Sequence, residues 1–264
     1  MTFLICLCVS ANGMKTTTQR NNGPATCRKT VLWACVICIL TVAGCRRRPI
    51  ETTPDIESPE QTWVRVLLFG NLRECTVASI SGFEVEDMTS HTLAAFRGDD
   101  PVVIRSGDGR VVVGDHIFGS DVLIRPHEPF VFEINDASYR GHLRLTATPG
   151  ETGLQAINVV PLESYLLGVV GAEMQSYWEP EALKAQSVAC RTYCLYTKDR
   201  FGQNRAWDVS QTESNQVYRG MAAETTPVRQ AVLETAGKVL VCKSEETGQD
   251  LIFSTFYSSS CGGD

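Results

Sequence analysis

The sequence predicts an α+β fold, a β-rich region packed around two central helices. Three observations predict it. Short β-branched runs recur from Trp63 to about residue 148, Gly, Asp and Pro separate them, and two long helical stretches follow between residues 162 and 201. With 264 residues, 43% of them hydrophobic and 20% charged, the chain can bury a sizeable core.

The N-terminal segment comes first. Arg28 and Lys29 precede an uncharged run over residues 31–44, 14 residues long. That is too short to cross a bilayer core as a helix, but it suits the apolar region of a signal peptide. The run ends Val42-Ala43-Gly44-Cys45, which is similar to a bacterial lipoprotein signal with Cys45 as the lipidated residue. A plain secretory signal and an uncleaved anchor are the other readings. The segment 1–45 is thus expected to export the chain to the cell envelope and hold it on the membrane as a lipoprotein. Residues 46–62 are rich in Pro, Thr and Glu and read as a flexible tether.

The expected domain runs from 63 to 264, with a β-rich part over 63–150 and a motif-bearing part over 151–264. Strands are predicted over 64–69, 75–80, 102–105, 111–113, 122–124, 130–134 and 143–148, and another over 154–160. The first helix is predicted over 162–174. The second is predicted over 179–201, with Pro180 in its first turn. A polar loop over 206–215, a helix or turn over 226–236 and two apolar segments, 239–242 and 251–257, complete the chain.

In the first helix, Leu162, Leu166, Val169 and Glu173 share one face at about 100° per residue. Glu173 therefore falls on an apolar stripe and at the helix C-terminus. Desolvation and the helix dipole would both raise a carboxylate pKa there, which suits a general acid. The same position also permits a helix end that points Glu173 at water. In the second helix, Lys184, Ser187 and Arg191 form one stripe, nearly opposite Ala182, Ala185, Ala189, Tyr193 and Tyr196. Its cations belong either to a solvated face or to a groove wall that binds carboxylates or sugar hydroxyls. The ending Ser258-Ser259-Ser260-Cys261-Gly262-Gly263 allows close backbone approach to a ligand.

Several function classes are disfavoured. Residues 1–48 hold seven basic side chains and no acid, leaving 17 bases against 30 acids in the remainder, a balance of about −13. An acidic body argues against nucleic acid as a partner. Of 11 Cys, six lie in the N-terminal segment, and the remaining five (Cys75, Cys190, Cys194, Cys242, Cys261) form no C-x-x-C pair, so a zinc ribbon is not expected. Cys190 and Cys194 read as small core residues. The four His all precede Cys261 and offer it no thiol-enzyme context.

Residues 163–174, Glu-Ser-Tyr-Leu-Leu-Gly-Val-Val-Gly-Ala-Glu-Met, resemble the E-x-Y-L-x-G-V-V-x-x-E-M segment of the SpoIID/LytB family of stage II sporulation protein D and amidase-enhancer proteins. Residues 181–193, Glu-Ala-Leu-Lys-Ala-Gln-Ser-Val-Ala-Cys-Arg-Thr-Tyr, look like its E-A-L-K-A-Q-A-V-A-A-R-T-Y signature. Residues 215–220, Asn-Gln-Val-Tyr-Arg-Gly, and the Ser-Cys-Gly-Gly ending match later blocks in order. The resemblance covers residues 130–264 well and 63–130 loosely.

The resemblance implies a peptidoglycan lytic transglycosylase that cleaves MurNAc–GlcNAc bonds in glycan strands and leaves a 1,6-anhydro product. One glutamate, mapped to Glu173, would act as acid and then base. Lys184, Arg191, Gln216 and Tyr218 map to cleft-lining groups, joined by Gln186, Ser258, Cys261 and Gly262. The cleft is expected between the helix ends and the C-terminal Ser/Gly segment. Some members carry His and Cys before the Q-V-Y block and are associated with zinc. Residues 208–216 contain neither, so no metal and no cofactor is expected. The chain stops at Asp264 inside what resembles a Gly-Gly-x-Thr block, where members usually continue. The family also implies a second reading, a non-catalytic enhancer that binds peptidoglycan and a partner cell-wall amidase.

Overall fold

The computed structural model describes residues 61–98, 100–147 and 153–257. The signal segment, Cys45, most of the tether, and Ser258, Cys261 and Gly262 lie outside the described residues. In chain order the strands of the first part are β1 (Trp63–Leu72), β2 (Glu74–Ala78), β3 (Phe83–Asp87), β4 (Leu93–Phe96), β5 (Val102–Gly107), β6 (Arg110–Val113), β7 (His116–Ile117), β8 (Asp121–Pro126), β9 (Val131–Ile134), β10 (Ala137–Arg140) and β11 (His142–Ala147). Then come β12 (Leu154–Pro161), α1 (Leu162–Glu173), α2 (Pro180–Phe201), β13 (Val209–Ser210), α3 (Thr226–Glu234), β14 (Val241–Lys243) and β15 (Asp250–Ile252).

The predicted α+β class is what is observed. A seven-stranded sheet has the order β13-β1-β12-β11-β8-β3-β4, and a six-stranded sheet the order β10-β9-β2-β5-β6-β7. Alternation explains how both are covered. Val64, Val66 and Leu68 of β1 point inward, as do Leu143 and Leu145 of β11, Val77 of β2, Ile104 of β5 and Phe132 and Ile134 of β9, and all join one buried cluster. Tyr165, Leu166, Val169 and Leu183 of the helices join it too.

β1 ties the N-terminal strands to the motif-bearing part. It pairs antiparallel with β12, Val64 facing Val160, and parallel with β13, Val66 facing Val209. The first and second parts of the domain thus share one sheet. Asp208, fully buried just before β13, holds this corner: its carboxylate accepts from the Arg65 guanidinium at 2.6 Å and from Lys198 Nζ at 3.2 Å.

The two long helices lie close to their expected bounds. α1 starts directly after Pro161 and is buried from nearly every side, which fits its run of apolar residues. Gly168 is required by close approach, because a Cβ there would run into the Tyr218 ring. α2 has Pro180 at its start and Lys198 and Arg200 in its last turn, where cations suit the helix dipole. Four further strands, β3, β4, β7 and β10, and the short β13 were not expected. The closing apolar segment forms a strand only over Asp250–Ile252. Among the described residues no helix is long and apolar enough to cross a membrane.

Candidate active site

Glu173 is the last residue of α1. The next residue, Met174, turns to an extended conformation (φ −129°, ψ 145°) and takes the buried position, 7% exposed. Glu173 itself is exposed. The expected desolvation on the apolar stripe is therefore corrected. Leu162, Leu166 and Val169 are buried, but the stripe ends with the helix one residue too early to enclose the carboxylate. What the structure does supply is a donor: the Val217 backbone N–H reaches Glu173 Oε1 at 2.9 Å.

The expected cleft-lining cations are both engaged with carboxylates of the chain. Arg191 is fully buried. Its Nε and Nη2 donate to the two carboxylate oxygens of Glu163 at 2.8 and 2.6 Å, a fork on a fork. Its Nη1 donates to the Lys238 carbonyl at 3.1 Å. It ties α1, α2 and the segment after α3 together, and a sugar cannot reach it. Lys184 bridges Glu181 at 2.8 Å and Glu234 at 2.6 Å, so it links α2 to α3.

The expected polar site residues are also turned inward. Gln186 is 4% exposed and donates to Cys190 Sγ at 3.3 Å. Tyr218 is 3% exposed, donates its hydroxyl to Asn158 Oδ1 at 2.8 Å, and packs on Tyr165 and Tyr139. Gln216 is 1% exposed. Its Oε1 accepts from the Tyr165 hydroxyl at 3.2 Å, and its Nε2 donates to the Tyr257 hydroxyl at 3.1 Å and to the Cys190 carbonyl at 3.4 Å. All three are buried and hydrogen-bonded within the fold.

The thiols match their reading as core residues. Burial pushes Cys190 up to about 12, against smaller opposing effects of hydrogen bonds with Tyr257 and Gln186. Burial likewise raises Cys194. Neither is a nucleophile. Burial also holds the Tyr257 hydroxyl well above its ordinary range, with the nearby Cys190 and Glu173 adding to the shift. Tyr257 therefore stays a neutral partner beside Gln216.

Three participants were missed from sequence. These are the Val217 amide, Tyr257 and Asn215, whose Oδ1 accepts from the Ser210 backbone N–H at 2.9 Å and whose Nδ2 donates to the Tyr193 hydroxyl at 3.2 Å. The polar loop before Val217 and the apolar segment that ends at Tyr257 gave no spacing that could reveal them, because their partners come from separate elements. Among the described residues no group of His, Cys, Asp and Glu is placed to hold a metal ion.

Residues 150–242 match the family model described as stage II sporulation protein, SpoIID. Stage II sporulation protein D of Bacillus subtilis is 32% identical over 125 residues, 42% of this chain and 35% of that protein. Over this stretch the chain is similar to the SpoIID family. Other relatives include an uncharacterised protein of Brachyspira hyodysenteriae, 29% identical over 174 residues, 66% of this chain and 45% of that protein. An amidase enhancer of Bacillus subtilis is 39% identical over 98 residues, 37% of this chain and 12% of the enhancer. The chain spans less than half the length of each of these relatives.

Proposed function

We propose that this chain is a peptidoglycan lytic transglycosylase with Glu173 as its single acid and base. One observation carries the reading. Of the expected site residues that are described, Glu173 alone is exposed, and one of its oxygens is held by a backbone amide. Arg191, Gln186, Gln216 and Tyr218 are buried, and Lys184 is engaged in ion pairs.

In the proposed reaction, protonated Glu173 gives its proton to the glycosidic oxygen between N-acetylmuramic acid and N-acetylglucosamine. The bond from that oxygen to C1 breaks. The 6-hydroxyl oxygen of the muramic sugar then bonds to C1, and its proton returns to Glu173. No water is consumed, so one carboxylate serves where hydrolytic glycosidases use two. The lipidated Cys45 proposed for the signal segment would keep this chemistry at the cell envelope.

The test is incubation of the purified chain with glycan strands and mass spectrometry of the products. Anhydro products, one water lighter than hydrolytic ones, are expected, and Glu173→Gln should slow their formation by about 10²-fold or more. Hydrolytic products, or unchanged cleavage by Glu173→Gln, would sink the proposal. A second reading, a non-catalytic enhancer of a cell-wall amidase, is favoured by the open setting of Glu173, which lacks the apolar pocket often found around a general acid. Glycan binding with no cleavage, together with stimulation of an added amidase, would select it.

A further inference from the structure

Val217 is anchored on both sides. Asn215 before it is fixed to Ser210 and Tyr193, and Tyr218 after it is fixed to Asn158. Gln216, directly adjacent, is the most enclosed of these. It receives one hydrogen bond from α1 through Tyr165, gives one to the α2 backbone at Cys190, and gives one to Tyr257 of the C-terminal segment. Three elements thus converge on one buried amide side chain. The peptide unit between Gln216 and Val217 carries the N–H that holds Glu173 Oε1 at 2.9 Å.

An exposed glutamate without a partner samples several rotamers in water. Here one oxygen is fixed by an amide that cannot itself turn, because its neighbours on both sides are locked. Oε2 has no hydrogen-bond partner among the described residues.

We propose that Gln216 is a positioning residue. It sets the direction of the Val217 amide, and through that amide it holds the Glu173 carboxylate in a single orientation. The proposal rests on the reading of Glu173 as acid and base, and it reassigns Gln216 from sugar binding to a role one bond removed from substrate. Tyr165 and Tyr257 belong to the same device, since each completes the hydrogen bonding of the Gln216 amide.

Gln216→Met and the milder Tyr165→Phe, which keeps the buried ring, test this on the full chain with two independent readouts. The first is hydrogen exchange of the Val217 amide, followed by NMR with Glu173→Gln as reference. Exchange should quicken by about tenfold in Gln216→Met and in the same direction in Tyr165→Phe. The second is kinetics on glycan strands. The value of kcat should fall on the order of 10-fold to 100-fold while KM stays within about twofold, since orientation and not binding is lost. Lost sugar binding would instead appear in KM and would overturn the assignment. Unchanged Val217 exchange in both variants would overturn it as well. A wild-type chain that cleaves nothing removes the enzyme reading alone, and the amide exchange still decides whether Gln216 holds Glu173.

Discussion

Glu163 in the first turn of α1 and Glu173 at its last residue sit on one helix and in two different media. Glu163 faces the buried Arg191 guanidinium and receives two parallel hydrogen bonds from it. It also lies at the helix end where the dipole favours an anion. Glu173 stands in water with a single amide donor. The first carboxylate is a fastening between helices, and the second is open to a ligand. The family signature contains both without telling them apart, so a charged residue within a motif can serve the fold as readily as the chemistry.

The sharpest way to break this contrast is Arg191→Leu. It strands Glu163 at a helix junction and should cost about 3–5 kcal/mol of folding stability by denaturant titration. Glu173→Gln, by the same measurement, should stay within about 0.5 kcal/mol of wild type. Equal costs would erase the distinction. Replacing Glu163 and Arg191 together by apolar residues should recover much of the loss, because no unpaired charge remains buried.

A second effect concerns His142, which stacks on Trp63 at 5.2 Å between ring centroids. Burial, helped by the nearby Arg125 charge, lowers its pKa from 6.5 to about 4. The folded state therefore prefers neutral His142 more strongly than the unfolded chain does. Its contribution is intact above pH 6.5 and is lost as the pH falls toward 4, by at most about 3 kcal/mol. Trp fluorescence during acid unfolding should show this slope, and His142→Phe, which keeps the ring stack, should flatten it. The smallest effect is expected at Lys184. Its ion pairs with Glu181 and Glu234 are partly solvated, so Lys184→Met should leave both the melting temperature and glycan binding unchanged within error. Weakened glycan binding in that variant would return Lys184 to the cleft.

Much of the fold was legible because long apolar runs announce themselves. The strands beginning at Trp63, Val102 and Leu154 and both long helices lie close to their expected bounds. β3 was missed because its inward positions are Phe83, Val85 and Asp87, and a buried acid hides the alternation. That Asp87 is satisfied by the backbone N–H groups of Thr89, Ser90 and Gly119, the last of them far along the chain. β4 and β10 are short and carry Ala and Arg where a sequence reader looks for branched apolar residues. Of the expected site residues that are described, only Glu173 is exposed. Arg191 reads from sequence as a cation on a helix face, and its partner lies 28 residues earlier on another helix, a separation no periodicity encodes. Gln216 and Tyr218 sit in a polar loop, and only the folded chain shows that their side chains turn inward.

The position of β12 bears on how this protein can be cut. The family match begins at residue 150, yet β12 is flanked by β1 on one side and β11 on the other, both encoded before that point. A fragment trimmed to the matched region would carry its central strand with both edges bare. Unpaired strand edges recruit other chains, so such a fragment would tend to aggregate before its chemistry could be assayed. Residue 150 is only where the family match begins, and a piece that keeps β12 paired with β1 must start no later than Trp63.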